Sequence, residues 1–148
     1  MLAYGAGVLG QGIPWAIENP DPFGNPVSLF NLPEWRQLAA MPGVRAWDFH
    51  QCHMGAETAK PTRILAWGLD LSSLLGSCSH PPRLWHYQDH RGRWRSHWGP
   101  HPPIKGRRRK DGSMATKAAA AYPSEMNRRI AVACVQTRTH TAPPIPDS

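Results

Sequence analysis

A glutamate and an asparagine follow each other where an apolar segment near the start of the chain ends. The segment reads PWAIENP, from Pro14 to Pro20, and its polar pair is Glu18 and Asn19. A carboxylate and an amide can hold a ligand by hydrogen bonds, and open α/β sheets bind ligands just beyond the carboxyl ends of their strands. The pair is therefore a candidate site. The alternative is a polar loop that begins before Pro20.

A second group of residues with binding chemistry lies within residues 79–113. RGRWRSHW (91–98) interleaves guanidinium groups with indoles, and KGRRRK (105–110) is a dense positive run. This composition predicts nucleic-acid binding that depends on salt and is largely independent of sequence. The candidate residues are Arg91, Arg93, Trp94, Arg95, Trp98, Lys105, Arg107, Arg108, Arg109 and Lys110. The alternatives are a disordered solubilising loop and a nuclear-localisation signal, which KGRRRK also resembles.

Two short groups of cysteine and histidine offer metal ligands. They supply two thiols and two imidazoles, from Cys52, His53, Cys78 and His80. Such a set could bind zinc, but its spacing matches no familiar zinc finger, so no metal site is predicted and the question stays open. The third cysteine, Cys134, lies on an apolar helical stripe and is predicted to belong to a core.

Composition sets the broad class of the protein. The chain has 148 residues, of which 41% are hydrophobic and 16 are proline, so it fits one domain, or part of a larger one, with much irregular chain. It has no apolar run long enough for a transmembrane helix, and its start lacks the basic segment and cleavage site of a signal peptide. Three widely spaced cysteines favour a reducing, intracellular setting.

The net charge of +7 is unevenly distributed along the chain. Residues 79–113 hold nine Lys/Arg and two Asp, whereas residues 1–78 hold four Lys/Arg and six Asp/Glu. The basic block also contains three of the seven tryptophans. Its partner is therefore predicted to be nucleic acid rather than a membrane.

Hydrophobic periodicity predicts the elements. Strands are expected over 13–18, 44–52 and 63–69. Helices are expected over 31–41 with Asn31 as cap, over 70–78 with Asp70 as cap, and after residue 114 with a break at Tyr122-Pro123. The resulting organisation is a partial α/β core over 1–78, an irregular basic insert over 79–113, a helix over 114–137 that returns to the core, and a disordered tail over 138–148.

Three segments, in this order, resemble the catalytic domain of cytosine-5 DNA methyltransferases: WAIENP (15–20), MGAETAKPTRILAWG (54–68) and AAAAYPSEMNRRIAVA (118–133). The family has a strand that ends in Glu-Asn, a polar stretch with arginines that leads into an apolar strand, and a last helix after a turn. It also places a variable target-recognition segment between the last two of these motifs, where this chain has its basic block. The resemblance covers roughly residues 8–77 and 114–136 and implies part of a Rossmann-like methyltransferase sheet.

The resemblance assigns roles to three residues. Glu18 would hold the target cytosine, Asn19 would orient Glu18, and Arg63 would contact the flipped base or a phosphate. The alternative for Arg63 is a solvated arginine that opens a strand. The segments that hold S-adenosylmethionine and supply the nucleophile, a Gly-rich loop and a Pro-Pro-Cys turn, have no counterpart here, and neither Cys52 nor Cys78 follows a Pro-Pro turn.

Two functions follow as expectations. The first is a fragment of an S-adenosylmethionine-dependent DNA (cytosine-5) methyltransferase-like protein, of a kind found in mobile elements, that is inactive alone and needs a complementary half and its cofactor. The alternative is a small non-enzymatic nucleic-acid-binding module that uses the basic Trp/Arg segment. A chain that does not fold is a third interpretation.

Overall fold

The first sheet is built from three short segments rich in β-branched and aromatic residues. The computed structural model describes residues 12–23, 27–118 and 120–140. Strand β1 is Trp15–Pro20, β2 is Val44–His50 and β3 is Pro61–Trp67, in the order β1-β3-β2. All three strands were expected from the sequence, with ends that differ by up to two residues. Together with the helices they confirm a mixed α/β protein.

Strand β1 pairs with β3 in antiparallel register. Trp15 lies opposite Trp67, and Pro20 lies opposite Thr62. Most strands of a Rossmann-like sheet run parallel, so this pair differs from the arrangement that such a sheet mainly uses. The register also fixes the position of Asn19 directly opposite Arg63.

The chain divides into two compact units. The first unit comprises residues 1–49, 61–75 and 128–148, and the second comprises 50–60 and 76–127. The described core of the first unit is apolar: Phe30, Leu38, Trp47, Phe49, Ile64, Leu65, Ala66, Leu71, Leu74 and Ala133 are all buried.

Two helical segments of the first unit follow the prediction in part. Helix α1 is Pro33–Ala39, with Pro33 in its first turn as expected. The residue that precedes it is Leu32, which makes no side-chain cap bond, so the expected Asn31 cap is wrong: Asn31 belongs to a 3-10 turn, Leu29–Asn31. The helix expected over 70–78 is only a 3-10 turn, Ser72–Leu74.

The C-terminal segment is helical on both sides of the expected break. Helix α2 is Ala115–Ala118 and α3 is Ser124–His140. Helix α3 buries Met126 and Ala133, but Cys134 is exposed, so its predicted place in a core is wrong. One residue advances the helix by about 100°, which carries Cys134 off the buried stripe. Helix α3 also includes residues 138–140 of the predicted tail, and residues 141–148 lie outside the described residues.

The basic block is a second sheet, and the prediction of an irregular insert is wrong. Strand β4 is Arg83–Asp89, β5 is Trp94–Gly99 and β6 is Arg107–Arg108, in the order β5-β4-β6. Both pairings of β4 are antiparallel. Charged and polar side chains on both faces hide the alternation by which a half-buried strand is recognised in a sequence.

A tight turn joins β4 to β5. The N–H of Asp89 donates to the carbonyl of Arg93 at 2.9 Å, and the N–H of Gly92 donates to the carbonyl of Asp89 at 2.9 Å. Gly92 has φ of +77°, which favours glycine, and so closes a type I turn with a bulge.

Within the described part of the chain, no helix is long and apolar enough to cross a membrane.

Candidate functional site

The structure brings Asn19 and Arg63 together but separates Glu18 from them. Glu18 lies opposite Ile64, and Asn19 lies opposite Arg63. Because successive residues of a strand face opposite sides of the sheet, Asn19 and Arg63 share one face and Glu18 lies on the other. Glu18 is half-buried in β1.

Asn19 holds the loop that follows β1. Its Oδ1 accepts a hydrogen bond from the N–H of Leu29 at 2.9 Å and lies 3.4 Å from the Ser28 hydroxyl. Ser28 is buried, and its hydroxyl also donates to the carbonyl of Pro20. An amide that organises a loop is the alternative that the sequence left open for this residue.

Arg63 forms a bidentate ion pair. Its Nε and Nη2 donate to the two carboxylate oxygens of Asp48 at 2.7 and 2.9 Å. The hydrogen bond to Asp48 raises the pKa of Arg63, and the ring of Phe23 lies 4.9 Å from its guanidinium carbon. The guanidinium group is therefore held by this chain's own carboxylate.

The second sheet presents an aromatic face. Trp94 and Trp98 lie on the same side of β5, opposite Gln88 and Leu84 of β4. Both indoles are solvent-exposed, Trp94 by 71% and Trp98 by 66%, and Leu84 is exposed by 53%. Their separation along β5 is four residues, or about 13 Å. We call the side chains of Leu84, Trp94 and Trp98 the aromatic face.

Asp89 neutralises part of the predicted basic cluster. Its Oδ1 accepts from the N–H groups of Arg91 and Arg93, both at 2.9 Å. Its Oδ2 accepts from the Nε atoms of Arg93 at 3.3 Å and Arg95 at 3.2 Å. Burial alone would raise the pKa of Asp89, but these hydrogen bonds hold that pKa well below its usual range.

Glu57 pairs with two further arginines. Its carboxylate accepts from Arg107 Nη2 at 3.0 Å and from Arg109 Nη2 at 2.6 Å. The hydrogen bond from Arg107 is the main cause that lowers the pKa of Glu57. Arg108 donates from Nη2 to the carbonyl of His90 at 2.7 Å. The run KGRRRK is therefore partly engaged inside the second unit.

Three of the predicted nucleic-acid ligands are exposed and form no ion pair with a carboxylate in the described part of the chain: Arg91, Lys105 and Lys110. A groove of about 570 Å³ runs beside β4. Its lining includes Arg83, Trp85, Tyr87, Trp94 and Lys110, and the guanidinium carbon of Arg83 lies 3.5 Å from the centre of the Trp85 ring. Cations and aromatic rings therefore line one continuous depression.

Two cysteines and two histidines converge elsewhere in the second unit. The ligand atoms of Cys52, Cys78, His80 and His101 all lie within 4.8 Å of one another. Three of these residues were candidates in the sequence. The fourth candidate, His53, instead lies against Gly76, where an added Cβ would be 3.0 Å from the imidazole ring. His101 was missed because two strands separate it from His80 along the chain.

Burial perturbs two members of this Cys/His cluster. Desolvation, followed by the hydrogen bond to Cys78, raises the pKa of Cys52 to about 11. Desolvation also lowers the pKa of His101. All three cysteines, including Cys134, are free thiols.

Comparison with known proteins gives no relative from which a function could be transferred. No family model, no curated protein and no solved structure matches the chain.

Proposed function

We propose that this chain is a nucleic-acid-binding module whose second unit binds single-stranded nucleic acid on its β4–β5–β6 sheet. The observation that carries the proposal is the exposure of Trp94 and Trp98 on one face of β5, inside the basic unit. Large exposed aromatic side chains are costly in water, and their clustering marks a binding surface. Indoles on a sheet surface are suited to stacking with unpaired bases.

Charge supports the same partner. The second unit holds eleven of the 17 Lys/Arg and four of the 10 Asp/Glu, so it accounts for the entire net charge of +7. Arg91, Lys105 and Lys110 are exposed and available for phosphates. Arg107 and Arg109, by contrast, already contact Glu57, and their role is to brace the sheet.

Binding combines two interactions, base stacking and phosphate contacts. Bases stack on the aromatic face, at about 1–3 kcal/mol per base, which tolerates any sequence because every base has a π-face. Phosphates contact the exposed cations and release counterions, which makes the affinity fall as salt rises. The exposed part of KGRRRK would also suit recognition as a nuclear-localisation signal.

A salt series tests the electrostatic part. Wild type and a triple variant, Arg91→Gln/Lys105→Gln/Lys110→Gln, are titrated with a labelled single strand and with the matching duplex. The slope of log K against log salt is negative, and its magnitude should decrease by about 0.7 for each phosphate contact that the variant loses with a single strand. The wild type should prefer the single strand.

The control removes charge from the first unit. Arg36→Gln/Arg45→Gln should leave the slope unchanged, because both arginines lie outside the basic unit. An equal loss of slope per charge removed in the two variants would show that net charge alone drives binding. Preference for the duplex would reject the stacking mechanism.

A second candidate function is the methyltransferase-like half-domain with part of a Rossmann-like sheet. The observation that favours it is the register that places Asn19 opposite Arg63, although the two residues are far apart in the sequence. The geometry supports it less than nucleic-acid binding, because Glu18 faces away from Arg63 and Asp48 already pairs with that arginine. S-adenosylmethionine would have to be held by a complementary half.

Reconstitution tests this second function. The chain is combined with a methyltransferase half that supplies the cofactor loop and the nucleophile, and methyl transfer to DNA is measured. Glu18→Gln should lower the rate by about 10²–10⁴-fold if Glu18 is the acid that holds the base. A rate that Glu18→Gln leaves unaltered would reject this assignment.

A further inference from the structure

Three separate segments of the second unit deliver four metal-binding side chains to one point. Cys52 lies in the 3-10 turn Gln51–Met54 after β2, Cys78 and His80 precede β4, and His101 follows β5. Cys52 is buried, Cys78 and His101 are half-buried, and His80 is exposed. Two thiols and two imidazoles form a complete ligand set for zinc.

The distances fit a tetrahedral ion. Zinc held by thiolates at about 2.3 Å and by imidazoles at about 2.0–2.1 Å separates each sulfur from each nitrogen by about 3.6 Å. The Sγ of Cys78 lies 3.6 Å from Nδ1 of His80 and 3.2 Å from Nε2 of His101. The Cys78 thiol and the two imidazoles therefore already lie near the separations that an ion would impose, and Cys52 Sγ lies within 4.8 Å of all three ligand atoms.

Surrounding groups aim the ligands at the centre of the cluster. The Nδ1 of His101 lies 2.9 Å from the carbonyl oxygen of Glu57, which can only accept, so Nδ1 carries the proton and the lone pair of Nε2 faces Cys78. The N–H of Cys78 donates to Nδ1 of His50 at 2.7 Å, and the N–H of His50 donates to the carbonyl of Gly76 at 2.8 Å. These bonds join the loop that carries Cys78 to the segment that carries Cys52.

The small core of the second unit gives the cluster a structural purpose. This unit has roughly 60 residues, a size at which an apolar core alone is marginal and metals or disulfides often contribute. Its described buried apolar side chains are only Cys52, Met54, Ala115 and Met126. A metal ion that joins three segments would add stability to this unit that its small apolar core does not provide.

We propose that Cys52, Cys78, His80 and His101 bind one Zn²⁺ as a structural site. Four protein ligands fill a tetrahedron and leave no open position for water, so the ion has no catalytic role. Zinc binding releases the thiol protons and holds the 50–60 segment, the loop before β4 and the loop after β5 in one arrangement. A disulfide between Cys52 and Cys78 is the competing outcome, which would give the two histidines no role.

The test measures metal content and geometry in the full-length chain. Purified protein is loaded with zinc, freed of excess ion and analysed for metal, and a second sample is loaded with Co²⁺ for its visible spectrum. One zinc per chain and the absorption of tetrahedral Co²⁺ with thiolate charge-transfer bands are expected. Cys52→Ser, Cys78→Ser and His101→Ala should each lose stoichiometric binding, whereas Cys134→Ser and His53→Asn should keep one zinc per chain.

Two further measurements keep the proposal testable where a variant fails to fold. His80→Cys should retain the metal, and its Co²⁺ form should absorb more strongly in the thiolate charge-transfer bands, because three cysteines and one histidine also suit zinc. In wild type, zinc should protect Cys52 and Cys78 from alkylation while exposed Cys134 reacts, and a chelator should remove that protection. Wild type without stoichiometric zinc, equal loss in Cys134→Ser, or an intact Cys52–Cys78 disulfide would each overturn the proposal.

Discussion

The carboxylate of Asp89 accepts hydrogen bonds from two backbone N–H groups and two guanidinium groups at the end of β4. It is buried, with 6% of its surface exposed. A buried carboxylate with four donors around it fixes the turn and the first residues of β5, which include Trp94. The geometry of the aromatic face therefore depends on one acidic residue in a basic block.

Asp89→Asn should destabilise the second unit. The amide keeps one acceptor oxygen but places an NH₂ group against the guanidinium donors of Arg93 and Arg95, so the two charge-assisted hydrogen bonds to Asp89 Oδ2 are lost. Thermal unfolding followed by circular dichroism should show a lower midpoint. Asp111→Asn is the matched control, because Asp111 lies in the next turn with a side chain that is 63% exposed, and its effect should be smaller.

The free energy of unfolding should also decrease as the pH is lowered, and Asp89 should be the main cause. The pKa of Asp89 in the folded chain is lower than the ordinary aspartate value of about 3.9. Its contribution is therefore complete above the unfolded-state pKa and is lost as the pH falls through the folded-state pKa. Urea unfolding between about pH 6 and pH 3 should show wild type losing stability faster than Asp89→Asn. Parallel curves would contradict this role.

Among the helices and strands, those with a hydrophobic pattern of clear helical or strand periodicity were predicted from the sequence. Pro33 and the apolar face behind it marked α1, and the run that ends in Trp67 marked β3, because those residues pack against a core. Strands β4 and β5 were missed because charged and polar residues occupy both of their faces and the large apolar side chains of Trp94 and Trp98 are exposed. The turn residues Asp89 and Gly92 were the available signal, since Asp and Gly at these positions are typical of a bulged hairpin.

The cluster of Cys52, Cys78, His80 and His101 could be predicted from the sequence only in part. Cys78 and His80 are close in sequence, but His101 joins them only because the β4–β5 hairpin returns the chain to its starting point. Its orientation depends on the carbonyl of Glu57, which no side-chain pattern reports. A hairpin prediction must therefore come before such a site can be predicted.

Gly92 gives a direct test of the hairpin. An added Cβ would meet nothing within 4 Å, so the cost of Gly92→Ala is the positive φ alone, about 1 kcal/mol. Gly92→Asn should cost less, because asparagine tolerates the left-handed region. Denaturant unfolding of the two variants should give this order. Equal stability of Gly92→Ala and wild type would mean that the turn does not require a left-handed residue.

At the scale of the whole molecule, the two units differ in how they are stabilised and in charge. The described core of the first unit contains large apolar side chains such as Trp47, Phe49 and Leu65, whereas the second unit has few. The second unit carries the charge, the aromatic face and the Cys/His cluster. The proposed binding of nucleic acid therefore rests on features of the second unit alone.

The affinity of a Trp94→Ala/Trp98→Ala double variant for a labelled, unstructured thymidine oligonucleotide measures how much the aromatic face contributes to binding. Fluorescence anisotropy at one fixed salt concentration gives Kd for wild type, for the double variant and for Phe23→Ala, which removes an aromatic ring that is 83% exposed from the first unit. The account predicts a loss of about 1–3 kcal/mol for each stacked base in the double variant and no change for Phe23→Ala. A double variant that binds as tightly as wild type would contradict it.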